Sequence, residues 1–177
     1  EYVEYKPVAE CGGYQFLSLA DAIRFAKNDD VVTLVNDIAM TTKDDMPACD
    51  GFSTLVCVEG KSVTVDLNGK NITANAYAED LVDSPRNMLL GVFATNNGGK
   101  LTLKDSEGTA TVTLNANDAN VYSVLCCYNA GCQIKVEGGT YVADKLSDSM
   151  IYGGGADENT DIVVINEEYK AVYYDAL

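Results

Sequence analysis

The 177 residues include no His and no Trp, which turns the search for chemistry to the carboxylates, thiols and tyrosines. The absence of His removes the commonest general base and the commonest neutral metal ligand. Ser/His/Asp and Cys/His catalysis are thereby excluded. The carboxylates group as Asp44-Asp45, Glu79-Asp80 with Asp83, and Asp144 with Asp148. Such groups are the raw material of a calcium site, but they lie in polar stretches where solubility is the simpler role, and no EF-hand spacing occurs. A lyase would also need cations to neutralise a substrate carboxylate. Arg is limited to Arg24 and Arg86. Gly153-Gly154-Gly155 precedes no Gly-Lys-Ser/Thr element and opens no helix, so it reads as a corner and not as a phosphate cradle.

Six cysteines contain no Cys-x-x-Cys pair, which argues against zinc. Cys126 and Cys127 are adjacent, so in a strand they face opposite ways. Cys57 sits in the apolar run Leu55-Val56-Cys57-Val58, where a thiol acts as a small hydrophobe. The expectation is mostly free, buried thiols, with Cys11 and Cys49 left by elimination as the pair for any bridge. Tyr77, Tyr122, Tyr128, Tyr141, Tyr152, Tyr173 and Tyr174 offer sugar-stacking faces if several share one outer surface. No residue set amounts to a catalytic, cofactor-binding or metal site, and no cofactor is implied.

The elements that would position these groups come from a repeat. Segments 53–69, 87–108, 120–141 and 148–169 each hold an apolar run, a polar corner and a short alternating strand. Aligning the strands puts Val63, Leu101, Ile134 and Ile162 in one column and Val65, Leu103, Val136 and Val164 in a second. Gly60, Gly98, Gly131 and Asn159 stand three residues before the first column, as a left-handed corner requires. The strand starts lie 38, 33 and 28 residues apart, within the range of solenoid repeats. Uneven spacing suits coils that bulge on one side. An antiparallel sandwich would also show short strands and Gly turns, but not one motif recurring in order.

The prediction is an all-β fold: a right-handed, single-stranded parallel β-helix formed by residues 1–177 as one domain, with coils over about 31–177. Residues 18–28 carry the strong helix signal. Ser18 is an N-cap with Asp21 three residues on, and Leu19, Ala22, Ile23 and Ala26 form one apolar face. This short N-terminal helix is expected to cap the open end of the coils. Thr64, Thr102, Lys135 and Val163 should form an outward ladder with one charge and no acid, while Asp66 and Asp105 fall on adjacent coils.

Charge narrows the partners. Acidic residues number 27 against 12 basic, giving −15 and a pI near 4.1. Such a surface is repelled by phosphate backbones, so nucleic acid is excluded as a partner. No apolar run of about 18 residues is present, so no membrane insertion is expected. The chain opens at Glu1 without a signal-like segment and reads as mature or truncated.

Cys11-Gly12-Gly13-Tyr14-Gln15-Phe16 followed by SLADAIRFAKNDDVVTLVNDI resembles the opening of pectin-lyase-like parallel β-helix domains in bacterial surface proteins. VTVDLNGKNIT (63–73) and VEGGTYVADKLSDSMI (136–151) are similar to later coils of that family. The resemblance covers most of the chain through structural motifs. It implies a secreted or cell-surface location in a bacterium and a non-catalytic module serving as spacer, adhesin or glycan-binding unit. Its partners would be a cell-surface or host glycan, or neighbouring domains of a parent protein. The alternative it implies is a polysaccharide lyase or glycoside hydrolase. Asn159-Thr160-Asp161 resembles the Asn-Thr-Asp element of polygalacturonases, but the Asp-Asp, Gly-His-Gly and Arg-Ile-Lys elements are missing. Asn159 reads better as a corner residue.

Overall fold

The structure, a computed structural model, describes residues 4–47, 49–128, 131–153 and 161–164. The chain begins with a hairpin, β1 (Ala9–Cys11) and β2 (Tyr14–Phe16), followed by helix α1 (Leu19–Phe25). It then circulates through three long sheets, with a fourth of only two short strands beside them. The first coil runs β3 (Asp30–Leu34), β4 (Ile38–Thr41) and β5 (Thr54–Glu59). The second runs β6 (Ser62–Asp66) and β7 (Ile72–Asn75), passes two 3-10 turns and the short β8 (Met88–Leu89), and closes with β9 (Gly91–Asn96). The third holds β10 (Lys100–Lys104), β11 (Thr111–Asn115), β12 (Asn120–Val121) and β13 (Leu125–Cys127). After it come β14 (Gln133–Val136), β15 (Thr140–Ala143), β16 (Ile151–Gly153) and β17 (Asp161–Val164).

Strands at the same place in successive coils pair in parallel. Sheet A stacks β3, β6, β10, β14 and β17; sheet B stacks β4, β7, β11 and β15; sheet C stacks β5, β9, β13 and β16. This is a parallel β-solenoid, and the two repeat columns read from sequence are its rungs. Leu101 is in register with Val63 and Ile134, and Ile134 with Ile162. Leu103 is likewise in register with Val65 and Val136, and Val136 with Val164. Val63, Leu101 and Ile134 are all buried, so period-2 alternation sends them into one continuous core. The first rung departs from the column: Asp30, not a hydrophobe, lies opposite Val63. Its carboxylate accepts the Lys27 N–H at 2.8 Å and so turns the chain from α1 into β3.

Gly60, Gly98 and Gly131 hold the corner before sheet A at φ +65°, +74° and +78°, a region L-residues avoid. Asn159, aligned with them, lies outside the described residues, as do Thr160, Gly154, Gly155, Tyr173 and Tyr174.

The cap is built differently from its sequence expectation. The helix spans Leu19–Phe25, shorter than 18–28, with Ser18 as N-cap accepting the Asp21 N–H at 3.1 Å. Its end is fixed from the next coil. The Lys61 ammonium donates to the carbonyls of Ile23 at 2.6 Å and Ala26 at 2.5 Å, satisfying groups the helix leaves unpaired. Burial lowers the Lys61 pKa, against the pull of Cys11 and Asp30. Leu19, Ala22, Ile23 and Ala26 are buried, as their spacing predicts. The hairpin was not anticipated: β1 pairs antiparallel with β3 and blocks the exposed edge of sheet A. Its signal was present in the two-residue Gly12-Gly13 turn between short strands.

Replacing Ile23 by Asp places an unpaired carboxylate in the packed face of α1. The expected loss is about 2–4 kcal/mol of stability, read as a lower urea midpoint. A mutant that unfolds with wild type would show that the helix does not cover the core.

Candidate functional site

Asp66 and Asp105, which sequence places on adjacent coils, are joined to backbone. Asp66 Oδ1 accepts the N–H of Asn68 at 2.9 Å and that of Ser106, one coil on, at 3.0 Å. Asp105 answers in the opposite direction: Oδ1 accepts Gly69 N–H at 2.8 Å and Oδ2 accepts Ala110 N–H at 2.7 Å. The two aspartates thus tie neighbouring coils together at the corner between sheets A and B, and Lys104 lies 3.7 Å from Asp66. The same device recurs around the solenoid. Asp37 accepts Asn71 N–H, Asp118 accepts Ala78 N–H, and Asp144 accepts Ala116 N–H, at 2.9, 3.0 and 2.9 Å. At these corners the backbone turns away from the sheet ladders, and a short acid on the adjoining coil supplies the missing acceptor.

The remaining candidates disperse. Asp45 accepts Thr41 N–H at 2.7 Å, Asp80 accepts the Thr42 hydroxyl at 2.7 Å, and Asp148 accepts the Ser149 hydroxyl at 2.9 Å. Asp44 and Asp45 border a polar groove of about 360 Å³ beside α1, with Asp21 and Asp37 on its walls. Arg24 pairs with Asp21 at 2.8 Å in solvent. Arg86, held at φ +60° in the second 3-10 turn, lies elsewhere, at the rim of sheet C. The sheet A strands have the predicted register: Thr102 lies between Thr64 and Lys135, and the backbone of Val163 pairs beyond Lys135.

The tyrosines do converge. Sheet C presents an inward row of Val56, Phe93, Leu125 and Ile151 and an outward row of Cys57, Ala94, Cys126 and Tyr152. Across the outward row a second apolar cluster forms from Phe52, Met88, Leu90, Ala94 and Cys126, with Tyr122, Tyr128 and Tyr152 half-buried against it. Phe52 and Tyr128 pack with ring centroids 4.3 Å apart, and Tyr122 and Tyr152 meet edge to face at 4.7 Å. Arg86 and Pro85 line a small hollow of about 30 Å³ beside Phe52 and Tyr128. Partial burial raises the Tyr122 pKa, helped by the charge of Asp148 and opposed by Arg86. The Tyr122 phenol is thereby held neutral, and all three tyrosines present amphipathic rings. Tyr141 is the exception. It is fully buried in sheet B, donates its hydroxyl to Gly138 O at 3.0 Å and has its pKa pushed up by burial. Tyr77 stands exposed by the first 3-10 turn.

The thiols correct one expectation and bear out another. Cys49 is bonded to Cys57, not to Cys11, with Cα atoms 6.3 Å apart. Val56 and Val58 point inward, so Cys57 between them points out, and the loop entering β5 brings Cys49 to it. Cys11 is a free thiol inside the hairpin strand β1, its pKa raised by burial and by Asp30. Cys126 and Cys127 are both buried and outside any disulfide, on opposite faces as adjacency requires: Cys127 in the main core, Cys126 in the outer cluster. Burial pushes the Cys126 thiol up strongly.

Fold and site together define a class, a parallel β-solenoid with an aromatic outer face on one sheet. Compared with protein-family models, with curated proteins and with solved structures, the chain matches none.

Proposed function

We propose that this chain is a non-catalytic module of a bacterial cell-surface protein that acts outside the cell by presenting the outer face of sheet C to a glycan. The observation that carries the reading is the convergence of Tyr122 and Tyr128 of the third coil, Phe52 from the first and Tyr152 from the strand after the third onto that face. Half-buried rings are already immobilised by packing, so binding costs them little entropy. Their apolar faces suit the C–H faces of pyranose rings, and their hydroxyls suit sugar oxygens. Asp148 and Arg86 nearby add polar contacts at the rim. The pectin-lyase-like resemblance supports the surface location, and the net charge of −15 favours neutral glycans over polyanionic ones.

A glycan array probed with the whole chain is expected to retain it on a restricted set of neutral structures. Tyr122→Ala and Tyr152→Ala should each weaken that retention roughly tenfold, the ~1.4 kcal/mol that a rigid aromatic contact supplies. Retention on no glycan, or retention indifferent to both substitutions, would overturn the reading.

A further inference from the structure

We propose that Cys49, Cys57 and Glu59 form, once their disulfide is reduced, a binding site for a soft divalent cation of the zinc class. Two of the three ligands are set by one strand. Cys57 and Glu59 stand two residues apart on β5 and so leave the same, outward face. The loop before β5 supplies Cys49. The two sulphurs and a Glu59 oxygen all lie within 4.8 Å of one another, and all three residues are half-buried.

Glu59 is already oriented. Its Oε1 accepts the Asp50 N–H at 3.0 Å and the Asn96 amide at 3.1 Å, while Asn96 also donates to Asp50 O at 2.9 Å. Outer hydrogen bonds of this kind hold carboxylate ligands in place in metal centres. Access is open as well, since Cys57 and Glu59 line a surface cavity of about 230 Å³ under α1. Two thiolates and one carboxylate match the preference of zinc for sulphur and oxygen donors in a four-coordinate shell, with water in the fourth position.

The disulfide and the cation exclude each other. A phosphine supplies two electrons and leaves as its oxide, taking oxygen from a water molecule whose two protons go to the sulphurs. A dithiol gives up its own two protons and closes to a disulfide. In either case the S–S bond becomes two thiols. Binding then releases two protons as the thiols become thiolates. The site goes beyond the glycan reading and does not depend on it.

The test uses the full chain, reduced with a phosphine under argon, freed of reductant and titrated with cobalt(II) and then zinc(II). One equivalent of cobalt should produce a thiolate charge-transfer band that zinc abolishes, and zinc should protect two thiols from alkylation. Cys49→Ser should lose the band. Glu59→Gln should keep it with affinity at least roughly tenfold weaker. The oxidised protein should bind nothing there. No band at one equivalent would overturn the proposal, as would a band that survives in Cys49→Ser and so belongs to the buried cysteines. So would loss of the β circular dichroism spectrum on reduction, because the site needs β5 and Asn96 in place.

Discussion

Truncating Phe93 to Ala is expected to lower the unfolding free energy by about 3–5 kcal/mol, a large share of what a domain of this size possesses. Phe93 is fully buried, and in sheet C it lies in register between Val56 of the coil before and Leu125 of the coil after. In a solenoid each coil is stabilised almost entirely by its neighbours, so a cavity at a middle rung weakens two interfaces at once. The backbones above and below are fixed by parallel ladders and cannot close the gap. Val142, in sheet B but more than a third exposed, provides the contrast, and its replacement by Ala should cost well under 1 kcal/mol. Urea unfolding of both variants checks the pair. A Phe93→Ala loss no larger than that of Val142→Ala would mean the coils do not share one core.

The second large effect falls on a charged residue at a corner between coils. Asp105→Ala removes the acceptor of two backbone N–H groups, Gly69 on the preceding coil and Ala110 on its own. Charge-assisted bonds of this kind contribute about 1.5–3 kcal/mol each, and the orphaned donors are part-buried, so a loss of about 2–4 kcal/mol is expected. Asp105→Asn keeps one carbonyl oxygen and should lose about half as much. An Asp105→Ala protein within about 0.5 kcal/mol of wild type would identify the residue as ordinary surface charge.

These two residues mark what was legible in sequence and what was not. The sheet A columns could be read because alternation of Val, Leu and Ile needs only neighbours in the chain. The cap helix could be read from Ser18 and its apolar face, although its end could not. That end is set by Lys61, which stands 38 residues from Ile23 along the chain. The corner acids escaped for the same reason. Asp105 meets Gly69 across 36 residues, a distance fixed by how far each coil bulges and not by local pattern. Cys57 was assigned inward because its whole run is apolar, whereas its register between Val56 and Val58 turns it outward. The aromatic face was the hardest to foresee. Phe52, Tyr122 and Tyr128 come from stretches outside the regular alternation, and only the stacking of three coils brings them together.

The same structural use of the acids bears on activity. Glycoside cleavage needs one carboxyl group as proton donor and a second as base or nucleophile, both facing the substrate. Asp66 and Asp105 instead face backbone amides of the adjoining coils. The most direct measurement is incubation of the whole chain with uronic-acid and neutral polysaccharides, with and without calcium, followed by assay of reducing ends and of unsaturated products. The expected result is neither product from any polysaccharide, including those the protein retains. Depolymerisation that disappears in Asp66→Asn, Asp105→Asn or Asp161→Asn would contradict the non-catalytic reading and make the chain an enzyme.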